Sequence, residues 1–388
     1  MAPFRPYFRI LLLLFAVSVF LQVPGPAGAG PAGTFETQAA QAILVEWDTK
    51  AVLLEKAADQ LMPPASMSKM MTIYMVFEQL RDGRLSLDDT LPVSKKAWKM
   101  EGSKMFVEVD TEVRVEDLLR GIVVQSGNDA CIVVAEGLAG SEEAFAEEMT
   151  RRGRDLGLTN TTFRNATGWP HPEHLTTARD LATLARRTIE DFPEYYHYYA
   201  ETTFTYDDIR QGNRNPLLYR NMGADGLKTG HTQEAGYGLT ASVERDGRRL
   251  ILVVNGMPSA RARSAESRRL IEWGFREFGN YLLFEGGEVV ADAEVWLGDE
   301  GAVPLVIDSE LKVTLPRKSW REMKVAVVYD GPIAAPIAKG AEIAKLVVSA
   351  PGAEPIEVPL LAGETVGRLG FAGRVAAAVK HLLWGSLR

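Results

Sequence analysis

Cysteine is almost missing from this chain. A single residue, Cys131, among 388 leaves no internal disulfide and no cysteine-rich zinc site to consider. Histidine is scarce as well, with five in all. Only His171 and His174 lie close together, prolines surround them and no further ligands stand nearby, so no metal site is expected. Positive charge is not in excess: 43 lysines and arginines face 51 acids, giving a net charge of −8 and a pI of about 5.4. A broad surface for nucleic-acid phosphates is therefore not expected. No internal repeat or long low-complexity segment interrupts a composition that is 46% hydrophobic and 24% charged. Such values exclude a mainly disordered chain, a collagen-like fibre and a polytopic membrane protein, and the length suffices for two or three domains.

What is present starts with an export pattern. Arg5 and Arg9 stand in an acid-free start, the apolar run Ile10 to Val23 follows, then Pro24, Pro26 and the small residues Ala27-Gly28-Ala29. This is the order of a secretory signal peptide with an A-x-A-like cleavage site. The run of 14 residues, at ~1.5 Å each, falls short of a ~30 Å hydrocarbon core, so cleavage is expected rather than a retained anchor. Removing residues 1–29 takes away two arginines and no acid, which changes the net charge from −8 to −10.

From Thr34 to about Gly279 helical and strand signals mix. Ile43 to Trp47 reads as a strand, Asp48-Thr49-Lys50 as a turn and Ala51 to Leu54 as the returning strand. Met70 to Phe77 is apolar or aromatic at every position except Thr72, which predicts a helix enclosed inside the domain. Leu118 to Leu138 is also mostly apolar, yet Gln125-Ser126-Gly127-Asn128-Asp129 breaks it, and buried polar residues need partners or a task. After about Asn280 the character changes. Val289 to Leu297 alternates, with Ala291, Ala293, Val295 and Leu297 opposite Asp292 and Glu294. Short strands are expected at Val303–Ile307, Lys312–Leu315, Lys324–Tyr329, Ala344–Val348 and Ile356–Leu360, punctuated by Asp330-Gly331-Pro332 and Pro351-Gly352. Residues 280–363 thus read as a small all-β domain, and 364–388 as a basic helical tail.

Three short elements carry chemistry. Ser66-Met67-Ser68-Lys69 opens the enclosed helix, and a spacing of three puts Ser66 and Lys69 on one face, where hydroxyl and amine can meet. Free N–H groups at a helix start can also bind an oxyanion. Taken alone, the motif leaves a nucleophile and a plain N-cap equally open. Ser309-Glu310-Leu311-Lys312 has the same spacing within the β region and reads as a solvated strand. Ser126-Gly127-Asn128 and Lys228-Thr229-Gly230 are each the single instance of their pattern, and each by itself could be a turn or strand end. In the order S-x-x-K, S-x-N, K-T-G they form one set, and a closely similar set marks penicillin-binding proteins and class A β-lactamases.

The sequence resembles the low-molecular-mass penicillin-binding proteins, specifically the serine-type D-alanyl-D-alanine carboxypeptidases. The segments Pro64 to Thr72, Gln125 to Ala130 and Asp225 to Thr232 carry the likeness, which spans nearly the whole mature chain. One departure is Thr167 in Asn165-Ala166-Thr167-Gly168, where family members often carry His, leaving the role of that loop open. The resemblance implies a mixed α/β (α+β) fold: a β-lactamase/transpeptidase-like catalytic domain at 34–279, with an antiparallel sheet flanked by helices, followed by the all-β domain and the tail. Ser66 would be the nucleophile and Lys69, if neutral, its base. Burial and a like charge from Lys228 are expected to lower the proton affinity of Lys69. Ser126 would pass a proton to the leaving nitrogen, Asn128 would hold Lys69 and the substrate amide, and the backbone N–H groups of Ser66 and His231 would form the oxyanion hole. Thr229 and Arg214 match positions near the substrate carboxylate, with Arg263 a further candidate beside Lys228 and Gly230. Cys131 reads as a buried small hydrophobe.

The implied substrate is the peptidoglycan stem peptide, with β-lactams as inhibitors and no cofactor. A β-lactamase would need the deacylating Glu-x-x-Leu-Asn of class A enzymes, which this chain lacks. A transpeptidase or endopeptidase acting on cross-linked wall also fits the motif set. A non-catalytic wall-binding protein that merely retains the fold does not need it, and the three intact motifs weigh against that reading. The tail contains Arg368, Arg374, Lys380 and Arg388, with Phe371, Val375, Val379, Leu382 and Leu383 on one face. Such a helix suits a membrane surface, so a place on the periplasmic face of the cytoplasmic membrane is expected.

Overall fold

Alternation of apolar side chains builds the central sheet. In strand Gln41–Glu46, Ile43 packs to one side and Ala42 and Leu44 to the other, all fully buried. Strand Arg248–Met257 repeats this, with Ile251 and Val253 on one face and Leu250, Leu252 and Val254 opposite. Strands buried on both faces need covering layers on both sides. The computed structural model, which describes residues 35–373 and 375, supplies them. Five antiparallel strands run in the order Val52–Lys56, Gln41–Glu46, Arg248–Met257, Gly236–Arg245, Ala224–Thr232. Helix Ala260–Glu277 covers one face through Leu270 and Ile271. The larger core lies on the other face, around helix Lys69–Arg81. Residues 1–29, read as a signal peptide, and most of the tail lie outside the described residues.

The enclosed helix forms where expected. Every residue from Met70 to Phe77 is buried, and a 3-10 turn at Ala65–Ser68 leads into it. The polar break also forms. Helix Val115–Arg120 passes into a π-helical turn at Gly121–Gln125, Ser126 takes left-handed angles of φ 67 and ψ 36, and helix Asn128–Ala139 follows. That reversal leaves Ser126 and Asn128 buried between two apolar helical segments, with Asn128 reaching Lys69.

Beyond residue 277 each expected strand appears. Val289–Trp296, Ala302–Ile307, Lys324–Val328, Glu342–Ser349 and Ile356–Ala362 join Ile333–Ala334 in a six-stranded sheet, while Leu311–Pro316 pairs with Phe278–Phe284. The alternation noted in sequence is real: Ala293 is fully buried while Asp292 and Glu294 are exposed. Phe278–Phe284 differs from the sequence expectation: it continues straight out of helix Ala260–Glu277 with no turn residue to mark it.

A buried carboxylate joins this region to the central sheet. Glu46, with no exposed surface, accepts from Thr49 N at 2.7 Å, Thr49 Oγ1 at 2.9 Å and Asn280 Nδ2 at 2.7 Å. Asn280 Oδ1 in turn accepts from Thr314 Oγ1 at 2.9 Å, and Lys312 Nζ pairs with Asp48 at 2.7 Å. Removing the acceptor leaves partly buried donors unpaired and takes the carboxylate from the largely buried Arg248, 3.9 Å from it. Glu46→Ala should therefore cost about 3 kcal/mol and lower Tm by several degrees, with Glu46→Gln much milder. Thermal unfolding checks this; an unchanged Tm for Glu46→Ala would contradict the joint.

Candidate active site

The serine turn is shaped by two close approaches. Ala65 sits at φ 49, and Gly168, at φ +77, lies so near that a Cβ there would stand 1.8 Å from Ala65 O. A Cβ on Gly230 would stand 2.8 Å from Pro64 O. Only glycine lets the 165–168 loop and the edge strand Ala224–Thr232 close on the turn. Ser66 remains partly accessible between them.

Lys69 is fully buried, one turn on from Ser66. Its Nζ donates to Ser66 Oγ at 2.9 Å, Asn128 Oδ1 at 2.7 Å and Thr167 O at 2.6 Å. All three acceptors are neutral. Loss of water pushes the Lys69 amine down to about 8, with Arg214 acting in the same direction, while the carboxylates of Asp129 and Glu142 act against it. Lys228 is also buried and is held well below the usual lysine range, first by burial and then by Lys69 and Arg214. The like-charge repulsion expected between Lys69 and Lys228 is present, and because it is mutual the pair titrates as a unit, with Arg214 acting on both in the same direction. Lys312, in the coincidental S-x-x-K match, shows the opposite environment: Asp48 and Glu310 bond it and raise its proton affinity.

Asn128 is fixed by three bonds. Besides accepting from Lys69, it donates from Nδ2 to Glu101 O at 2.8 Å, and its backbone N donates to Ser103 O at 2.7 Å. Ser126 Oγ is buried and has no hydrogen-bond partner. Lys228 Nζ makes one long contact, to Thr229 O at 3.4 Å. Lys69 thus touches both Ser66 and Asn128, whereas Ser126 and Lys228 are buried without a hydrogen bond to any of the three, Lys228 acting on Lys69 through its charge alone.

On the open side Arg214 is exposed and donates to Ser103 Oγ at 2.6 Å. Arg263 is buried, its guanidinium within 3.4 Å of Gly238 O and Arg214 O, with Nε unpartnered. It therefore braces the Arg214 backbone from beneath. Thr229 is nearly buried, and the exposed His231 ring stacks on Tyr237 at 3.8 Å.

Several residues at the site had no motif to announce them. Asp129 is buried and accepts from the N–H groups of Met105, Phe106, Val107 and Ala130 at 2.8–3.3 Å, which straps the loop carrying Ser103 to the helix start. His174 Nδ1 accepts from Arg164 N, so Nε2 carries the proton and donates to Ser68 Oγ at 2.8 Å. Burial pushes His174 down to about 4, keeping it neutral. Cys131 is buried and its thiol is pushed up to about 12, a packing residue as expected. Asp129 adjoins the S-x-N motif and breaks an apolar helix, a signal that could have found it. The Thr167 contribution is a backbone carbonyl, which no side-chain pattern reveals.

Known proteins match this arrangement along the chain. The family described as D-alanyl-D-alanine carboxypeptidase matches residues 28–259, and the C-terminal domain family of penicillin-binding protein 5 matches residues 278–368. The D-alanyl-D-alanine carboxypeptidase DacC of Escherichia coli is 38% identical over 95% of both chains. The crystal structure of penicillin binding protein 5 from Haemophilus influenzae is 36% identical, covers 88% of this chain and 100% of its own, and gives a TM-score of 0.78. Penicillin-binding protein D2 from Listeria monocytogenes, in its ampicillin-bound form, is 31% identical over 63% of this chain and 100% of its own, with a TM-score of 0.58.

Proposed function

The chain belongs to the D-alanyl-D-alanine carboxypeptidase family, and from that premise we propose how its residues remove the terminal D-alanine from peptidoglycan stem pentapeptides. It is a serine-type hydrolase of the penicillin-binding class. The observation that carries the assignment of roles is the buried Lys69 amine, 2.9 Å from Ser66 Oγ and with no acid bonded to it. A serine hydroxyl is a poor nucleophile without a base in reach, and a lysine pushed down to about 8 is neutral in a useful fraction of molecules near neutral pH.

In the proposed sequence Lys69 takes the Ser66 proton as Oγ attacks the carbonyl between the two D-alanines. The N–H groups of Ser66 and His231 hold the oxyanion. Ser126, buried and unpartnered, is free to relay the proton to the leaving nitrogen, which departs as D-alanine. Water then attacks the acyl-enzyme, and Ser66 regains its proton. Arg214 and Thr229 meet the terminal carboxylate, with Arg263 bracing Arg214 and Lys228 gaining a counter-charge when substrate arrives. The absence of Glu-x-x-Leu-Asn favours this reading over a β-lactamase, because acylation by a β-lactam then outlasts turnover of the peptide.

The relatives are D-alanyl-D-alanine carboxypeptidases of bacteria, and we place this chain, exported by residues 1–29, on the periplasmic face of the cytoplasmic membrane. The support is chemical. Phe371 and Val375, four apart in the tail, are 77% and 48% exposed, and the tail sequence is basic in an acidic protein.

Three measurements test these proposals. Mass spectrometry should find a penicillin adduct on the wild type and none on Ser66→Ala, while Lys69→Arg, which keeps the charge but cannot deprotonate, should acylate at least a hundredfold more slowly. An adduct persisting on Ser66→Ala would sink the nucleophile, and wild-type rates for Lys69→Arg would sink the base. Arg214→Ala should lose roughly tenfold or more on the acid substrate but little on the same peptide amidated at its C-terminus; equal losses reject the carboxylate role. Residues 364–369 pack on the β domain, with Val366 fully buried and bridged to Ile337, so a chain ending at Gly370 should stay active on soluble peptide yet no longer sediment with anionic vesicles, and undiminished sedimentation would place the anchor elsewhere.

A further inference from the structure

The loop that offers its carbonyl to Lys69 is held from outside the three motifs. Ala166 N donates to Glu142 Oε1 at 3.1 Å, Ala166 O accepts from Thr72 Oγ1 at 2.7 Å, and the next carbonyl, Thr167 O, accepts from Lys69 Nζ at 2.6 Å. Gly168 then closes on Ala65 and Ser66. Glu142 opens helix Glu142–Asp155 behind its N-cap Ser141, and it is 9% exposed. Its other oxygen lies 3.0 Å from Lys96 Nζ, and Lys96 also pairs with Glu143 at 2.9 Å. Two residues, Ala166 and Thr167, therefore stand between a buried carboxylate and the buried amine.

We propose that Glu142 is a positioning residue for acyl transfer: it fixes the Ala166–Thr167 backbone that holds Lys69, and its ion pair with Lys96 stands behind that loop and modulates the use of the lysine as a base. The proposal rests on Lys69 being the base. The groups that face Lys69 are Asp129 and Cys131 from helix Asn128–Ala139, Glu142, Lys228 on the edge strand, Arg214, and His174 behind the turn. Cys131 stays a thiol and His174 stays neutral, while Asp129 is engaged by four backbone N–H groups. Glu142 is thus the acid whose charge can be removed while its hydrogen bond is kept. Its charge favours the ammonium form of Lys69, against the effects of burial and Arg214. Losing that charge eases deprotonation of Lys69; losing Lys96, which is outside the machinery, leaves the charge less offset and hinders it.

The experiment is the rate of acylation by a chromogenic β-lactam across pH, for the wild type, Glu142→Gln, Lys96→Met and Glu142→Ala, with thermal unfolding of each. Glu142→Gln keeps the acceptor for Ala166 N, so its acid limb should move to lower pH with the plateau nearly unchanged. Lys96→Met should move the acid limb to higher pH. Glu142→Ala, which also frees the loop, should lose roughly five- to tenfold at the plateau. A merely structural role cannot move the two limbs in opposite directions. Coincident limbs, or limbs shifting the same way, overturn the proposal. Lys69→Arg run alongside separates the two readings: activity there defeats the base assignment, whereas an inactive Lys69→Arg with unmoved limbs defeats only the role of Glu142.

Discussion

An ammonium group is buried at this site with no carboxylate in contact, and the surrounding architecture follows from that constraint. Lys69 has lost its water, and its three acceptors are a hydroxyl, an amide oxygen and a peptide carbonyl. A bonded acid would stabilise the charge and end any use of the amine as a base, as Lys312 illustrates with Asp48 and Glu310. Asparagine at 128, where aspartate has nearly the same shape, meets that requirement. The nearest acids are kept at one remove: Asp129 is engaged by the 105–107 backbone, and Glu142 acts through the 165–168 loop.

The same avoidance of bonded acids shapes the cleft as a whole. The chain carries a net charge of −8, yet Lys69, Lys228, Arg214 and Arg263 converge where Ser66 opens to solvent. Uncompensated cations in an acidic protein favour an anionic ligand, and a peptide ending in a free carboxylate supplies the missing charge. Two glycines make the convergence possible, since any side chain at Gly168 or Gly230 would hold the loop or the edge strand away from the serine turn.

How much of this was legible depended on where the information sits. The enclosed helix, observed at 69–81, follows from the apolar run Met70–Phe77, and the β-strands after 288 from alternation and turn residues, which sequence displays directly. The three motifs could be ordered into one site, although no spacing of theirs shows that Gly230 and Gly168 press on the same turn. Backbone contributions stayed hidden. Thr167 acts through its carbonyl, so the departure from the family residue there leaves the lysine hold in place. The like charge expected from Lys228 is joined by Arg214, whose place beside both lysines no motif spacing shows. Strand Phe278–Phe284 escaped because it leaves a helix without a turn.

The central claim is that burial makes Lys69 a base, and its titration can be observed directly. In protein labelled with 15N at the lysine ζ position, the Lys69 resonance is identified by its loss in Lys69→Arg and followed from acid to alkaline pH. The expected midpoint lies near 8, well below that of a solvated lysine. A midpoint at the ordinary lysine value of about 10.4 would contradict the account, since the amine would then be charged whenever the enzyme works.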